Sequence, residues 1–158
     1  MLKGYTALVT GGSRGIGRAI AIKLACNGAD VIVNYCGNKA AAEEVVREIG
    51  DCGSRSMAIC ADVSNHEAVK NMISEIKNNF GRLDILINNA GITRDGLLLR
   101  MKEEDWEKVI HTNLTGAFNC SKEALRLLLK SDNGSIINIS SVVGQMGNAG
   151  QCNYAAAK

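Results

Sequence analysis

Short apolar runs rich in β-branched residues alternate with helical patterns along the whole chain. The short runs are typical of strands, and the longer segments between them place apolar residues at the i, i+3, i+4 spacing of helices with one buried face. Strands joined by helical crossovers run parallel, and a parallel sheet is covered by helices on both faces. The predicted strands span residues 5–9, 31–33, 56–60, 83–87 and 136–139; the predicted helices span 16–25, 39–49, 69–80 and 103–129.

The length and composition favour one domain built on this pattern. The chain has 158 residues, of which 46% are hydrophobic and 22% charged, and no linker, repeat or low-complexity segment divides it. We therefore predict a single domain over residues 1–158. Its fold class is α/β, a three-layer Rossmann-type doubly wound parallel sheet. The last predicted helix is expected to break near Asn113.

A glycine-rich turn joins the first predicted strand to the first predicted helix. Glycines there allow a tight turn and let the backbone approach a pyrophosphate, which the N–H groups of the helix N-terminus also attract. The spacing is G-x-x-x-G-x-G rather than G-x-G-x-x-G, and a plain turn is the alternative interpretation. Its position after the first strand favours a dinucleotide site formed by Gly11, Gly12, Ser13, Arg14, Gly15, Ile16 and Gly17.

The end of the second predicted strand indicates which nicotinamide cofactor binds. Folds that use NAD usually place an acid there for the ribose 2′-hydroxyl. This strand ends without one, at Asn34, while Asp30 lies at its beginning. Arg14 stands in the glycine loop, where a guanidinium can pair with a 2′-phosphate, although it could also be merely solvated. We predict NADP(H) as the cofactor and count Asn34 among the residues that bind it.

Charge, hydropathy and cysteine placement narrow the classes of partner. A net charge of +2 does not favour nucleic acid or an anionic membrane, and no apolar run approaches the ~18 residues of a membrane helix. The N-terminus leads directly into a strand without a signal peptide, so we expect a cytoplasmic protein.

The six cysteines are expected to be free thiols in that reducing environment, without a metal; a metal or disulfide role is the alternative. The cysteines are Cys26, Cys36, Cys52, Cys60, Cys120 and Cys152.

Several short motifs occur together in one order and spacing. They are TGGSRGIG at 10–17, Asp62-Val63, Asn88-Asn89-Ala90-Gly91, Asn113, Ser141 and Tyr154-x-x-x-Lys158. Over its whole length the chain therefore resembles the short-chain dehydrogenase/reductases. The stretches 88–101 and 141–158 closely resemble the bacterial 3-oxoacyl-[acyl-carrier-protein] reductases of that family. This resemblance implies NADPH-dependent reduction of a carrier-protein-bound 3-oxoacyl thioester in fatty acid biosynthesis, by a homotetramer. It also implies the strand order 3-2-1-4-5, with the last strands of the family absent from this chain.

The resemblance also implies roles for single residues in holding the cofactor. Asp62 and Val63 would border the adenine, and Asn89, Ala90 and Gly91 would line the cofactor beside the fourth strand. On residue chemistry alone, Asp62 could instead cap the turn that follows it. The two adjacent asparagines could likewise serve only to end a strand.

Four residues would form the catalytic group that the resemblance implies. Tyr154 would donate the proton, and the Lys158 ammonium, one helical turn away, would lower the tyrosine pKa from its usual value of about 10. Lys158 would also bind the nicotinamide ribose. Ser141 would hydrogen-bond the substrate carbonyl, with Ser140 as the neighbouring alternative, and Asn113 would hold a water next to Lys158. An ordinary exposed i, i+4 pair is the alternative for Tyr154 and Lys158.

The family pattern continues beyond Lys158, so we expect that the sequence is a piece of a longer protein. In that case the fifth strand exposes an apolar sheet edge, and the 158 residues alone reduce substrate poorly. Another short-chain dehydrogenase acting on a small alcohol, and a cofactor-binding module without turnover, remain alternatives. The apolar residues of the long helix could belong to the core or to a subunit interface: Leu114, Phe118, Leu125 and Leu128.

Overall fold

A computed structural model describes all residues, 1–158, as a parallel sheet between two layers of helices. The strands are β1 (Thr6–Val9), β2 (Asp30–Tyr35), β3 (Ser56–Cys60), β4 (Ile85–Asn88) and β5 (Ser135–Asn138). The helices are α1 (Gly15–Ala25), α2 (Lys39–Asp51), α3 (His66–Phe80), α4 (Glu103–Ile110), α5 (Gly116–Leu128), α6 (Val143–Met146) and α7 (Cys152–Ala157). No helix combines the length and apolar character needed to cross a bilayer.

The strand order is β3-β2-β1-β4-β5, and every neighbouring pair is parallel, which confirms the predicted order. The order reverses next to β1, because β2 follows on one side of it and β4 on the other. The loops after β1 and β4 therefore leave the sheet in opposite directions and open a crevice at the carboxyl ends of the strands. Such a crevice is where open α/β sheets bind ligands.

The core is divided by the sheet into two halves, because successive strand residues point to opposite faces. On one face Leu8, Ile32 and Leu86 pack against α3 and α5. On the other face Val9 and Val33 pack with their neighbours against α1 and α2. The strands are thus buried on both faces, which explains their near-continuous apolar sequences.

The predicted long helix over 103–129 is two helices joined by a wider π turn. α4 ends at Ile110, the π turn covers His111–Thr115, and α5 begins at Gly116. This confirms the predicted break near Asn113. Of the four apolar residues whose place was open, Leu128 belongs to the core. The other three are exposed: Leu114, Phe118 and Leu125.

β5 forms one edge of the sheet, and all four of its residues are exposed. Ile136 and Ile137 keep 40% and 48% of their surface in solvent, although both belong to an apolar strand. The expected apolar sheet edge is therefore present within these 158 residues.

The prediction of six free thiols is wrong for two of the cysteines. Cys26 and Cys52 form a disulfide, with their Cα atoms 5.0 Å apart. The two residues directly follow α1 and α2, which pack side by side on the same face of the sheet. The crossover topology brings these two helix ends together. Two cysteines 26 residues apart in the sequence gave no indication that they would pair. The other four cysteines are free thiols.

A buried acid, Asp84, joins the beginnings of β1 and β4. Its carboxylate accepts hydrogen bonds from the Thr6 backbone N–H (2.8 Å) and from Arg82 Nε and Nη2 (2.8 and 2.6 Å). Burial alone would raise the pKa of Asp84, but the hydrogen bonds from Arg82, Ser131 and Thr6 outweigh it and hold the pKa below its usual value. The folded state therefore favours the ionised carboxylate.

We expect that Asp84→Asn lowers the free energy of unfolding by about 1.5–3 kcal/mol at neutral pH, the contribution of hydrogen bonds to a charged group. Because the pKa of Asp84 is lower in the folded chain than in the unfolded one, its contribution is complete above pH ~4 and is lost as the pH falls through the folded-state pKa. Urea unfolding between pH 3 and 7 measures this. A constant difference between the two proteins across that range would contradict it, and the exposed Asp51 provides the control, Asp51→Asn.

Candidate active site

Two adjoining cavities occupy the crevice at the carboxyl ends of the strands. The larger, about 720 Å³, lies along the loop after β1 and is called here the glycine-loop cavity. The smaller, about 520 Å³, lies between the segments that follow β4 and β5 and is called the tyrosine cavity. The two share lining residues, so they form one continuous cleft: Arg14, Ile16, Asn89, Gly91 and Ile92.

The glycine loop packs so tightly that two of its positions admit no side chain. A Cβ at Gly17 would overlap the Gly11 carbonyl oxygen and lie 2.5 Å from Asn89 Nδ2. Gly11 has φ +61°, and a Cβ there would lie 3.0 Å from Ala90 Cα. The Asn89 amide donates to the carbonyls of Thr10 (2.9 Å) and Gly11 (3.2 Å), which fixes the loop against the end of β4.

The start of α1 leaves hydrogen-bond donors free at the cleft. The helix has no side-chain cap, and the backbone N–H groups of Ile16 and Gly17 have no partner in the chain. Unpaired N–H groups at a helix N-terminus attract an anion. Arg14 is exposed next to them and lines both cavities, and its guanidinium makes no hydrogen bond or ion pair within the chain.

Asn34 lines the glycine-loop cavity, but its amide is committed to the protein. The side chain is 2% exposed; its Oδ1 accepts from the Gly11 N–H (3.2 Å) and its Nδ2 donates to the Ala61 carbonyl (2.9 Å). The Gly12 N–H donates to the Asn34 carbonyl at 2.9 Å. Asn34 thus ties the glycine loop to the end of β3, and its amide atoms point to the loop rather than into the cleft.

Thr10 holds the cleft together, a role that sequence reasoning missed. Its buried hydroxyl donates to the Ile87 carbonyl (3.1 Å) and accepts from the N–H groups of Asn89 (2.9 Å) and Ala90 (3.0 Å). One side chain therefore joins the ends of β1 and β4 on either side of the point where the strand order reverses. The only signal in the sequence was a hydroxyl residue immediately before the glycines.

The far end of the glycine-loop cavity is formed by the segments after β2 and β3. Asp62 and Val63 line it, as do Cys36 and Asn38 from the segment after β2. Asp62 also caps the turn after it, because its Oδ1 accepts from the Ser64 N–H (2.9 Å) and hydroxyl (2.7 Å). The two interpretations of Asp62 are therefore compatible. Val63 is held by Asn119, whose Nδ2 donates to its carbonyl at 3.0 Å.

Tyr154 and Lys158 line the tyrosine cavity together with Ser140 and Ser141. Lys158 Nζ lies 5.9 Å from the centre of the Tyr154 ring and donates to the Ile139 carbonyl at 2.8 Å. Burial lowers the pKa of the Lys158 ammonium. The Ser140 hydroxyl donates to the Lys158 carbonyl (3.0 Å), and Ser141 Oγ accepts from the Val143 N–H (3.2 Å), so the Ser141 hydroxyl hydrogen remains available.

Asn113 lies behind this cavity, in the π turn, and its amide clamps the loop after β4. Its Oδ1 accepts from the Ile92 N–H (2.7 Å), and its Nδ2 donates to the Ile92 carbonyl (2.9 Å). The widened turn places this amide next to Gly91, where a Cβ would lie 3.1 Å from Asn113 Oδ1 and 3.6 Å from Lys158 Nζ. Asn113 and Lys158 therefore meet at the same backbone position.

The structure brings together nearly all the residues predicted from the sequence. The two cavities are lined by Gly11, Ser13, Arg14, Gly15, Ile16, Gly17, Asn34, Asp62, Val63, Asn89, Ala90, Gly91, Ser141, Tyr154 and Lys158. Gly12 and Asn113 line neither; Gly12 is buried beneath the loop, and Asn113 lines a neighbouring cavity with Lys158. The catalytic and binding roles of these residues stay predictions.

Comparison with known proteins places this cleft in a family. A 3-oxoacyl-[acyl-carrier-protein] reductase FabG from Staphylococcus aureus (strain Mu50) is 57% identical over 153 residues, covering 97% of this chain and 62% of that protein. A 3-oxoacyl-[acyl-carrier-protein] reductase from Synechocystis sp. is 54% identical over 157 residues, covering 99% and 64%. The chain thus spans less than two thirds of the length of these relatives.

Solved structures and the family pattern agree with these relatives. A crystal structure from Sinorhizobium meliloti 1021, assigned as a short-chain alcohol dehydrogenase, superposes with a TM-score of 0.94 at 36% identity, covering 99% of this chain and 62% of that one. The sequence model of the short chain dehydrogenase family matches residues 5–158. With its strand order and cleft, the chain belongs to the short-chain dehydrogenase family.

Proposed function

We propose that the protein uses NADPH to reduce a 3-oxoacyl thioester, carried by an acyl carrier protein, to the 3-hydroxyacyl form in fatty acid biosynthesis. The observation that carries the proposal is the position of Tyr154 and Lys158. Both line one cavity, and that cavity is continuous with the cleft of the glycine loop. The proposed proton donor and the proposed dinucleotide site would thereby meet at a single place.

The residues of the glycine-loop cavity fit a dinucleotide phosphate. Because positions 11 and 17 carry no side chain, the loop backbone is open to the cavity, and the unpaired N–H groups of Ile16 and Gly17 would donate to a bound phosphate. The unpartnered Arg14 guanidinium, and the absence of an acid at the end of β2, support NADP(H) over NAD(H). Asp62 and Val63 would border the adenine, and Asn89, Ala90 and Gly91 the rest of the cofactor.

Bound NADPH supplies a hydride for the substrate carbonyl, and the side chains of the tyrosine cavity supply the rest of the chemistry. Tyr154 holds the proton that the emerging alkoxide takes up. The Lys158 ammonium next to the phenol favours the tyrosinate that proton transfer leaves. The Ser141 hydroxyl donates a hydrogen bond to the carbonyl oxygen, where negative charge develops. Asn113 holds the loop after β4 through its two hydrogen bonds to the Ile92 backbone, and this loop lies next to Lys158.

The substrate class rests on similarity rather than on the cleft itself. Relatives named as 3-oxoacyl-[acyl-carrier-protein] reductases share 57% and 54% of their aligned residues with this chain. The proposal therefore includes a carrier-protein partner. It also includes a homotetramer, for which the exposed Leu114, Phe118 and Leu125 of the π turn and α5 offer an apolar contact surface. The cytoplasmic location stays a prediction.

The reaction can be tested with the protein expressed from its complete reading frame. NADPH oxidation is followed with acetoacetyl thioesters of carrier protein and of coenzyme A, alongside a panel of small ketones and sugars. Preferred turnover of the thioesters would support the proposal. Preferred turnover of a small ketone would identify another short-chain dehydrogenase, and cofactor binding without any turnover would identify a binding module.

We expect that Arg14→Ala weakens NADPH binding by about tenfold to 150-fold, which corresponds to the ~1.5–3 kcal/mol of a hydrogen bond to a charged group. NADH lacks the 2′-phosphate, so its affinity should change by less than about threefold. Fluorescence titration of both cofactors measures the two affinities. Arg18→Ala is the matched control, because Arg18 lies one turn further along α1 and binds Glu48 instead. Equal affinities of the unmodified protein for NADH and NADPH would refute the assignment.

A further inference from the structure

The position of Tyr154 depends on contacts between α7, the helix that carries it, and the rest of the chain. Hydrogen bonds at both ends of α7 provide these contacts. At the C-terminal end Lys158 provides them: its Nζ donates to the Ile139 carbonyl (2.8 Å), and its carbonyl accepts from the Ser140 hydroxyl (3.0 Å). Both bonds join this end to the wall that follows β5.

The other end of α7 is anchored by Asn153, which precedes Tyr154. Asn153 Nδ2 donates to the Arg94 carbonyl at 2.9 Å and to the Asp105 carbonyl at 3.4 Å. Its Oδ1 accepts from the Tyr154 N–H at 2.8 Å. One amide therefore joins the catalytic helix to the loop after β4 and to α4. Arg94 lines the tyrosine cavity, so this bond reaches the wall opposite the one that Lys158 contacts.

Burial makes this anchor hard to replace. Asn153 is 0% exposed, so water cannot take over its hydrogen bonds when the side chain is shortened. Shortening the Asn153 side chain would leave the N-terminal end of α7 without its hydrogen bond to the loop after β4. The Lys158 end would stay attached to the β5 side. The expected result is a rotation or displacement of Tyr154 relative to Lys158, with the sheet and the glycine loop intact.

We infer that Asn153 is a positioning residue, which holds Tyr154 between the two walls of the tyrosine cavity and so at its working distance from Lys158. This inference rests on the proposed function, because it assigns Asn153 a role through Tyr154. Ser141 and Lys158 line the same cavity as Tyr154. Displacement of Tyr154 would therefore separate its hydroxyl from both of these side chains.

The chain offers a control for the loss of a buried polar link in Asp84. This residue is also buried, at 0% exposure, and its carboxylate accepts from the Thr6 N–H (2.8 Å) at the beginnings of β1 and β4, the opposite end of the sheet from the cleft. Asp84 lines neither cavity. Asn153→Ala and Asp84→Asn should both lower the thermal midpoint. At saturating NADPH and substrate, we expect a fall in kcat of about tenfold to 100-fold for Asn153→Ala and of less than about twofold for Asp84→Asn.

A second variant separates the link to the loop from the local hydrogen bond to Tyr154. Asn153→Ser keeps an oxygen near the Tyr154 N–H but is too short to reach the Arg94 carbonyl. We expect it to lose kcat as Asn153→Ala does, with the NADPH dissociation constant within about twofold of the unmodified protein. Recovery of kcat in Asn153→Ser would show that the local bond suffices and would overturn the inference.

A readout without substrate keeps this inference separate from the proposed function. Nuclear magnetic resonance of the protein with ¹³C-labelled tyrosine reports the surroundings of each ring, and the Tyr154 signal is identified by its loss in Tyr154→Phe. In both Asn153 variants this signal should move, whereas it should stay in place in Asp84→Asn. An unchanged Tyr154 signal would overturn the inference, and so would loss of folding in both Asn153 variants while Asp84→Asn folds. A protein that shows the change but reduces no 3-oxoacyl thioester would refute only the proposed function.

Discussion

Gly17→Ala is expected to weaken NADPH binding by at least about 100-fold. A Cβ at this position would overlap the Gly11 carbonyl and lie 2.5 Å from Asn89 Nδ2, and neither group is the free end of a flexible side chain. Asn89 is held by two backbone carbonyls, so relief requires a shift of the loop or of α1. Backbone shifts of this kind cost about 1–3 kcal/mol, and they displace the N–H groups proposed to face the pyrophosphate.

The measurement is a fluorescence titration with NADPH, with far-ultraviolet circular dichroism as a check of folding. Gly50→Ala is the control, because Gly50 lies in α2 away from the cleft and a Cβ there meets nothing within 4 Å. Replacing a helical glycine should leave binding unchanged and stabilise the chain by about 0.5–1 kcal/mol. NADPH affinity retained by a folded Gly17→Ala protein would show that the cofactor does not approach this loop.

Tyr154→Phe is expected to lower kcat by about 100-fold to 10,000-fold, the range typical of losing a general acid. The phenylalanine ring fills the same space but has no proton to give to the alkoxide. NADPH binding should change by less than about threefold, because the glycine-loop cavity provides the other contacts. Steady-state NADPH oxidation with an acetoacetyl thioester, in the protein from the complete reading frame, measures the effect.

Tyr5→Phe is the control for the loss of a phenol. Its hydroxyl accepts a hydrogen bond from Asn133 Nδ2 (2.9 Å) at the surface, at the opposite edge of the sheet from the cleft. Its kcat should equal that of the unmodified protein. A Tyr154→Phe protein with more than about a tenth of normal kcat would assign proton donation to another group.

The parallel sheet was predictable because it depends on patterns that the sequence carries directly. Alternating apolar runs and amphipathic segments imply parallel strands and helical crossovers, and a glycine turn after the first strand marks the crevice. The same alternation allows more than one strand order, so the order 3-2-1-4-5 followed from the resemblance of the motifs to a family. The break in the long helix was also predictable, on the position of Asn113 in the family motif. Its form was not: a π turn over His111–Thr115 turns the amide of Asn113 toward Ile92.

The hydrogen bonds that support the cleft were beyond the reach of sequence reasoning. Thr10, Asn34 and Asn153 are ordinary polar residues in the sequence, and each gains its role from partners that lie far along the chain. The disulfide between Cys26 and Cys52 has the same origin, because it requires the ends of α1 and α2 to meet. Spacing patterns describe neighbours along the chain, whereas these contacts depend on how helices pack on the sheet.

The sequence by itself determined the fold class, the strand order, the glycine loop and the positions of Tyr154 and Lys158. These features depend on local periodicity and on motifs of fixed spacing, which need no knowledge of distant contacts. Only the tertiary structure decided that Asn34 ties the glycine loop to the end of β3 and that Asn153 anchors α7, the helix that carries Tyr154, to the loop after β4. A buried amide takes its partners from whichever backbone groups packing leaves beside it, and that arrangement exists only once the chain has folded.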